Sequence, residues 1–166
     1  MDTKPFQTHI AIGSFDRDAQ TLTATLCFTR KNATEDGEVW ATRESFRFLH
    51  RWSRQDNPPV VNESGLPIGH VVAPFRDCGR GSLYVTLMIE DEIFWRQFKP
   101  SASLRAGFWG NVLETIVYKS DRRTPDKNRL HALVIDPSHL ALWWAGDSDA
   151  VAWQRFAKNV KPLAAA

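Results

Sequence analysis

A strict alternation of apolar and polar residues between positions 21 and 29 most constrains the fold of this chain. Leu22, Ala24, Leu26 and Phe28 alternate there with threonines and Cys27. Successive side chains of a strand point to opposite faces, so this pattern predicts a strand with one buried face. Residues 8–15 show a similar alternation and precede it across an Asp-containing turn. The two segments therefore predict a β-hairpin.

Other segments extend this pattern into a mixed fold. Residues 43–54 place Phe46, Leu49 and Trp52 on one face of a predicted helix, and residues 90–98 and 148–161 predict two more. Further strands are expected at residues 38–41, 60–62, 67–73, 82–89, 104–118 and 129–135, with Asp136-Pro137 as a turn. We therefore predict an α+β fold, a single domain over residues 1–166. Its curved, mostly antiparallel sheet or partly open barrel carries two or three helices, and residues 119–128 form a mobile charged loop.

Composition limits the class of protein. Hydrophobic residues make up 43% of the chain and charged residues 24%, which is ordinary globular composition. The net charge of +2 permits contact with nucleic acid without demanding it. Cys27 and Cys78 belong to no Cys-x-x-Cys motif and are expected to be reduced. No apolar run approaches the roughly 18 residues of a membrane span, so we expect a cytoplasmic protein with no membrane contact.

The residue types that carry chemistry do not combine into a known motif. The histidines at positions 9, 50, 70, 131 and 139 show no His-x-x-x-His spacing, so no metal site is expected. No Gly-x-Ser-x-Gly elbow is present to hold a serine nucleophile. We expect no cofactor, and the sequence leans towards a protein that is not an enzyme.

Basic residues form two clusters. Arg43, Arg47, Arg51 and Arg54 recur at helical spacing and so form one stripe. Arg122 and Arg123 lie in the predicted charged loop. Either cluster could contact phosphates, or the stripe could be a solvated helix face or a surface for a protein partner.

The tandem tryptophans Trp143 and Trp144 are predicted to form an interface. Adjacent residues of a strand face opposite sides, so one ring is expected in the core and the other at the surface. A surface tryptophan is the kind of aromatic anchor that dominates protein interfaces.

The order of these segments between about residues 36 and 142 resembles the prohead (capsid-maturation) serine proteases of tailed bacteriophages, relatives in fold of the herpesvirus assemblins. Glu38-Val39-Trp40 is similar to the opening strand, and Pro67-Ile68-Gly69 to the "PIG" motif of that family. The next strand, the short helix and the serine segment are represented by Gly81–Val85, Glu90–Trp95 and Leu104–Phe108, and Leu133–Ser138 resembles the closing strand.

Two departures from that family bear on activity. The resemblance places the catalytic histidine just before the "PIG" motif, where this chain has Asn62. It places the catalytic serine at Arg105 or Ala106. Asparagine cannot accept a proton near neutral pH, and neither replacement carries a nucleophilic hydroxyl. The resemblance therefore implies a protease-like fold whose catalytic positions, Asn62 and Ala106, are degenerate.

Three functional hypotheses follow. The leading one is a phage- or prophage-type protein without peptidase activity that acts through protein–protein contacts in assembly, with a protein partner or with itself. The alternative is a small accessory protein that binds nucleic acid through its arginine-striped helix. The third is an active assemblin-like serine peptidase with a rearranged site, which would pair His50 or His70 with Ser101 or Ser103.

Overall fold

Ten strands and two helices occupy the part of the chain that the structure describes. This computed structural model describes residues 3–28, 32–34, 37–41, 43–79, 81–99, 103–118, 129–145 and 158. In chain order the elements are β1 (Thr3–Asp16), β2 (Thr21–Cys27), β3 (Asn32–Thr34), β4 (Gly37–Ala41), α1 (Arg43–Ser53), β5 (Pro59–Val61), β6 (Pro67–Val71), β7 (Arg76–Gly79), β8 (Ser82–Ile89), α2 (Glu92–Gln97), β9 (Ser103–Tyr118) and β10 (Arg129–Ala145).

Seven of these strands close into a β-barrel. Its order is β1, β2, β8, β6, β5, β10 and β9, and β9 pairs back to β1. Neighbouring strands are antiparallel except β5 and β10, which are parallel. The mixed barrel and its two helices confirm the predicted α+β class.

The alternating strands supply the barrel interior. Leu22, Ala24 and Leu26 of β2 are fully buried, and the register places them opposite apolar residues of β8. That pairing joins two strands distant in sequence and closes the barrel. Full burial of a large aliphatic side chain contributes about 1.5–3 kcal/mol relative to exposure, so these facing rows are a main source of stability.

Helix α1 covers the end of the barrel at which β8 begins. The ring centroid of Trp52 lies 5.9 Å from that of Phe75 and 5.8 Å from that of Phe108. Ser53 ties the helix to the chain before β7, because its Oγ accepts the Phe75 N–H at 2.8 Å and donates to the His50 carbonyl at 2.6 Å. The predicted apolar face of this helix is thus buried against the core.

Helix α2 lies at the other end, directly after β8. Asp91 caps it, and its Oδ2 accepts the Phe94 N–H at 3.3 Å. The Trp95 indole donates to the Ile89 carbonyl at 2.7 Å. A helix of six residues covers less of the barrel than α1 does.

Two predictions about strands were wrong. The turn predicted at Asp136-Pro137 is absent, because β10 continues to Ala145. Its register shifts between Pro137 and His139, and a bulge of this kind accommodates a residue that lacks an N–H. The polar segment Asn32–Gly37 is predicted as a loop, but its residues 32–34 form β3, which pairs with β1 and β4.

Some predictions fall outside the described residues. The charged loop at 119–128 is one, and Thr42, which is predicted to cap the helix that begins at Arg43, is another. Of the predicted helix at 148–161 only Lys158 is described, and it is helical. Neither α1 nor α2, the helices of the described ranges, is long and apolar enough to span a bilayer.

Candidate functional site

The two positions that the family resemblance singles out lie close together in the barrel. Asn62 directly follows β5, whose Val61 pairs with Ala141 of β10. Ala106 of β9 pairs with Leu142 on the other side of β10. One strand therefore separates the two positions, and adjacent strands lie about 4.8 Å apart. The fold brings them to the same level of the barrel.

Asn62 shapes the turn between β5 and β6. Its side-chain Oδ1 accepts the backbone N–H of Ser64 at 2.9 Å and that of Leu66 at 3.0 Å. Its own N–H donates to the Leu66 carbonyl at 2.9 Å. Asparagine favours such turns because its short side chain can replace a backbone acceptor. The carboxamide oxygen is therefore occupied by the backbone of the turn.

Ala106 faces the barrel interior. It is 0% exposed and belongs to the apolar cluster that also contains Leu104 and Phe108. Arg105 points to the opposite face, because neighbouring residues of a strand alternate. Neither residue brings a hydroxyl group next to Asn62, so these positions supply neither a nucleophile nor a base.

A small cleft opens beside Asn62, between the β5–β6 turn and α2. We call it the tryptophan cleft, and its volume is about 110 Å³. Its lining combines apolar, amide and acidic side chains: Asn62, Glu63, Ser64, Ile68, Asp91, Ile93, Phe94, Gln97, Leu142, Trp143 and Trp144. The predicted interface residues and one degenerate catalytic position thus share one concave surface.

The two tryptophans occupy different environments in this cleft. Trp143 is 3% exposed and lies outside the main apolar cluster, whereas Trp144 is partly buried against that cluster. The Trp144 indole donates to the Phe94 carbonyl at 3.1 Å, and its ring lies 5.0 Å from that of Phe94. Ile93, on the same helix, is 60% exposed. The cleft therefore has a fixed aromatic floor and an exposed aliphatic rim.

The rearranged serine–histidine site gains no geometric support within the described residues. His50 is exposed on α1, His70 lies on β6, and Ser103 is exposed at the start of β9. No hydrogen bond joins either histidine to Ser103 in the described part of the chain. Ser101 lies outside the described residues.

One serine–histidine pair was missed by the sequence reasoning. The Ser138 Oγ lies 3.0 Å from Nδ1 of His139, and it donates to the Trp109 carbonyl at 2.7 Å. His139 is 0% exposed, and burial lowers its pKa to about 4. Because the hydroxyl proton is held by the carbonyl, Ser138 accepts from Nδ1 and is not activated as a nucleophile.

No signal in the sequence pointed to that pair. The predicted turn at Asp136-Pro137 ended the strand before it reached Ser138. With a turn at Asp136-Pro137, Ser138 and His139 lay outside the predicted strand and had no predicted neighbour on the sheet. A strand continued through a proline bulge would have placed them beside β9.

The arginine stripe is exposed where its side chains are described. Arg47, Arg51 and Arg54 lie on the solvent side of α1 and just beyond it. The Arg51 guanidinium lies 5.2 Å from the centroid of the Phe48 ring. The side chain of Arg43, and all of Arg122 and Arg123, lie outside the described part of the chain.

No group of three or more His, Cys, Asp or Glu side chains could hold a metal ion within the described ranges. No protein-family model matches this chain, and neither a curated protein sequence nor a solved structure matches it.

Proposed function

We propose that this chain is a phage- or prophage-type protein that keeps a protease-like order of elements, lacks peptidase activity and acts through protein–protein contacts in assembly. The observation that carries the proposal is the state of the two degenerate positions. Asn62 is engaged by the backbone of a turn, and Ala106 packs inside the barrel. Asn62 also lines a cleft with the features of an interface.

The order of elements supports the protease-like part of the proposal. A strand, a helix and a short strand that is followed by Asn62 precede β6, which carries the Pro67-Ile68-Gly69 motif. After β7, which has no counterpart in the resemblance, come β8, the short helix α2, and β9 with Ala106. This is the sequence of elements on which the resemblance was based.

The glycine of that motif has a clear structural role. A side chain at Gly69 would overlap the backbone carbonyl of Met88 on the neighbouring strand. Close approach of two backbones requires glycine at such a point. The motif therefore preserves a barrel contact and needs no catalytic explanation.

The tryptophan cleft supports the protein-contact part. Interface cores are enriched in tryptophan and phenylalanine, and here Trp144 and Phe94 are locked together by a hydrogen bond. The exposed Ile93 beside them can be removed from water by a partner. Association would then bury apolar surface at a rigid aromatic site.

Light scattering over a range of protein concentrations tests this surface. We expect Ile93→Ala and Trp144→Ala to reduce self-association or partner binding while thermal stability changes by only a few degrees. Val72→Ala is the matched control, since Val72 is another exposed aliphatic residue and does not line the cleft. If Ile93→Ala and Val72→Ala associate as the wild type does, or if Trp144→Ala unfolds the protein, the cleft is not the interface.

The genomic neighbourhood tests the biological setting. Genes for capsid, portal and terminase proteins beside this one would agree with an assembly role. Their absence from several related loci would contradict it.

Nucleic-acid binding by α1 is the second candidate function. The exposure of Arg47, Arg51 and Arg54 on one side of the molecule favours it. If Arg43, Arg47 and Arg51 contact phosphates, replacing all three by Gln should flatten the salt dependence of duplex binding by about 0.9 per lost contact. No binding to a random oligonucleotide at about 50 mM salt would remove this candidate.

A further inference from the structure

A second and larger cleft lies at the opposite end of β8, between α1 and the β7–β8 hairpin. We call it the arginine cleft, and its volume is about 640 Å³. It is lined by Phe46, Arg47, His50, Asp77, Gly79, Gly81 and Leu83. Pockets that hold small molecules typically measure about 300–1,000 Å³ and often lie at the mouths of barrels. Its size and position both fit a ligand site.

Two glycines of the hairpin line this cleft. Gly79 has a φ of +76° and Gly81 a φ of +71°, a backbone conformation that other residues rarely adopt. A Cβ added at Gly79 would meet no atom within 4 Å, so the space in front of it is open. A ligand can therefore approach the backbone of Gly79 closely.

The helix wall of the cleft is basic. Arg47 and His50 lie three residues apart and so on the same side of α1. Asp77 stands on the hairpin side, where its Oδ1 accepts the Gly79 N–H at 2.7 Å. That bond assigns one of its oxygens to the turn. The groups that the helix offers to a ligand are hydrogen-bond donors, which suit an anion.

The remaining lining is apolar and partly aromatic. Leu83 is buried, and Phe46 is half-buried with its ring 5.3 Å from that of Phe28 in an edge contact. A ring held in that way is fixed in orientation, and planar groups stack on such rings. The cleft thus combines a guanidinium, an imidazole and an aromatic ring in one space.

We propose that the arginine cleft binds a phosphate group attached to a planar ring, the chemistry of a nucleoside monophosphate. Arg47 binds the phosphate through its paired N–H groups, His50 adds a donor, and the planar ring lies against Phe46. The same chemistry occurs at the end of a single-stranded nucleic acid. This site does not depend on the proposed function, because the tryptophan cleft lies at the other end of the barrel.

Isothermal titration calorimetry with AMP, UMP and inorganic phosphate tests the site. We expect both nucleotides to bind more tightly than inorganic phosphate, because the phosphate alone leaves the ring surface unused. Arg47→Gln should weaken nucleotide binding by about tenfold or more, since one charge-assisted contact is lost. Arg54→Gln is the control, because it removes the same charge from an exposed position that does not line the cleft.

Several results would overturn the proposal. One is no binding of AMP or UMP at millimolar concentration, and another is equal weakening by Arg47→Gln and Arg54→Gln. A single-stranded oligonucleotide that binds when neither mononucleotide does would also overturn it, in favour of an extended basic surface. Thermal unfolding checks that Arg47→Gln is folded. If Arg47→Gln is unfolded, His50→Gln replaces it in the comparison with Arg54→Gln.

Discussion

The two ends of the barrel are closed in different ways. At one end α1 has eleven residues and inserts Leu49 and Trp52 into the core. At the other end α2 has six residues and leaves Ile93 exposed above the tryptophan cleft. A longer amphipathic helix can bury its apolar face and turn its arginines to solvent. A short helix leaves apolar surface uncovered, which is what a protein partner requires.

The charges of the two clefts also differ. Arg47 and His50 line the arginine cleft, whereas Glu63 and Asp91 line the tryptophan cleft. Asp77 also lines the arginine cleft, so its charged lining is mixed, whereas the charged side chains that line the tryptophan cleft are both acidic. One end suits an anionic ligand, and the other suits an apolar partner surface.

The largest expected effect is at the α1 end. Trp52 is 3% exposed and contacts two other core rings. Trp52→Ala should lower the free energy of unfolding by about 3–5 kcal/mol, because it leaves a large cavity. Urea denaturation followed by circular dichroism measures this change.

Trp144→Ala is the matched change at the other end. It should cost clearly less, because that ring is only partly buried. Equal losses of unfolding free energy for the two variants would show that both tryptophans contribute equally to the core. The two ends of the barrel would then not differ in the way described.

Replacement of Gly69 should be the next most damaging change. Gly69→Ala inserts a methyl group against the Met88 carbonyl, and overpacking of this kind typically costs about 1–3 kcal/mol. Gly13→Ala is the control, since a Cβ there meets Thr23 only at ordinary contact distances of 3.5 Å or more. Similar melting temperatures for the two variants would contradict the close approach of β6 and β8.

Protonation of His139 should reduce stability at most by an amount comparable to Gly69→Ala, and by less over most of the pH range. The folded pKa is about 4, below the ordinary 6.5, so the unfolded state binds a proton first as the pH falls. Stability should therefore be complete above about pH 6.5 and decline towards pH 4, by at most about 3 kcal/mol.

The comparison with His139→Leu isolates this contribution. Urea titrations at several pH values measure the free energy of unfolding of both proteins. Between pH 6.5 and 4 this free energy should fall more in the wild type than in the variant. The fall that remains in the variant comes from the carboxylates. Parallel curves for the two proteins would mean that His139 is not the buried neutral group described here. Two separate unfolding transitions in the urea titration of the wild type would show that the two ends of the barrel unfold independently.

Local patterns predicted much of the fold. The alternation at residues 82–89 gave β8 with its observed bounds, and the spacing of Leu49 and Trp52 gave α1. Both depend on neighbours in sequence. The closure of the barrel does not, because the β2–β8 pairing joins residues about 60 positions apart.

The candidate sites were predicted less well for related reasons. The resemblance and the tandem tryptophans pointed to Asn62 and Trp144, but only the register showed that they line one cleft. The sequence did not indicate the arginine cleft, because Asp77–Gly81 is predicted as a turn and the strand β7 was not expected there. The Ser138–His139 pair was not predicted because the strand was ended at Pro137. A strand can continue past a proline at a bulge, and tertiary contacts decide whether it does.

Reaction with a serine-directed fluorophosphonate, followed by intact mass measurement, tests whether the chain has an activated serine. We expect no added mass, because Asn62 and Ala106 supply neither base nor nucleophile and the Ser138 proton is held by the Trp109 carbonyl. Stoichiometric labelling that is abolished by Ser101→Ala, Ser103→Ala or Ser138→Ala would contradict it and establish an active serine enzyme.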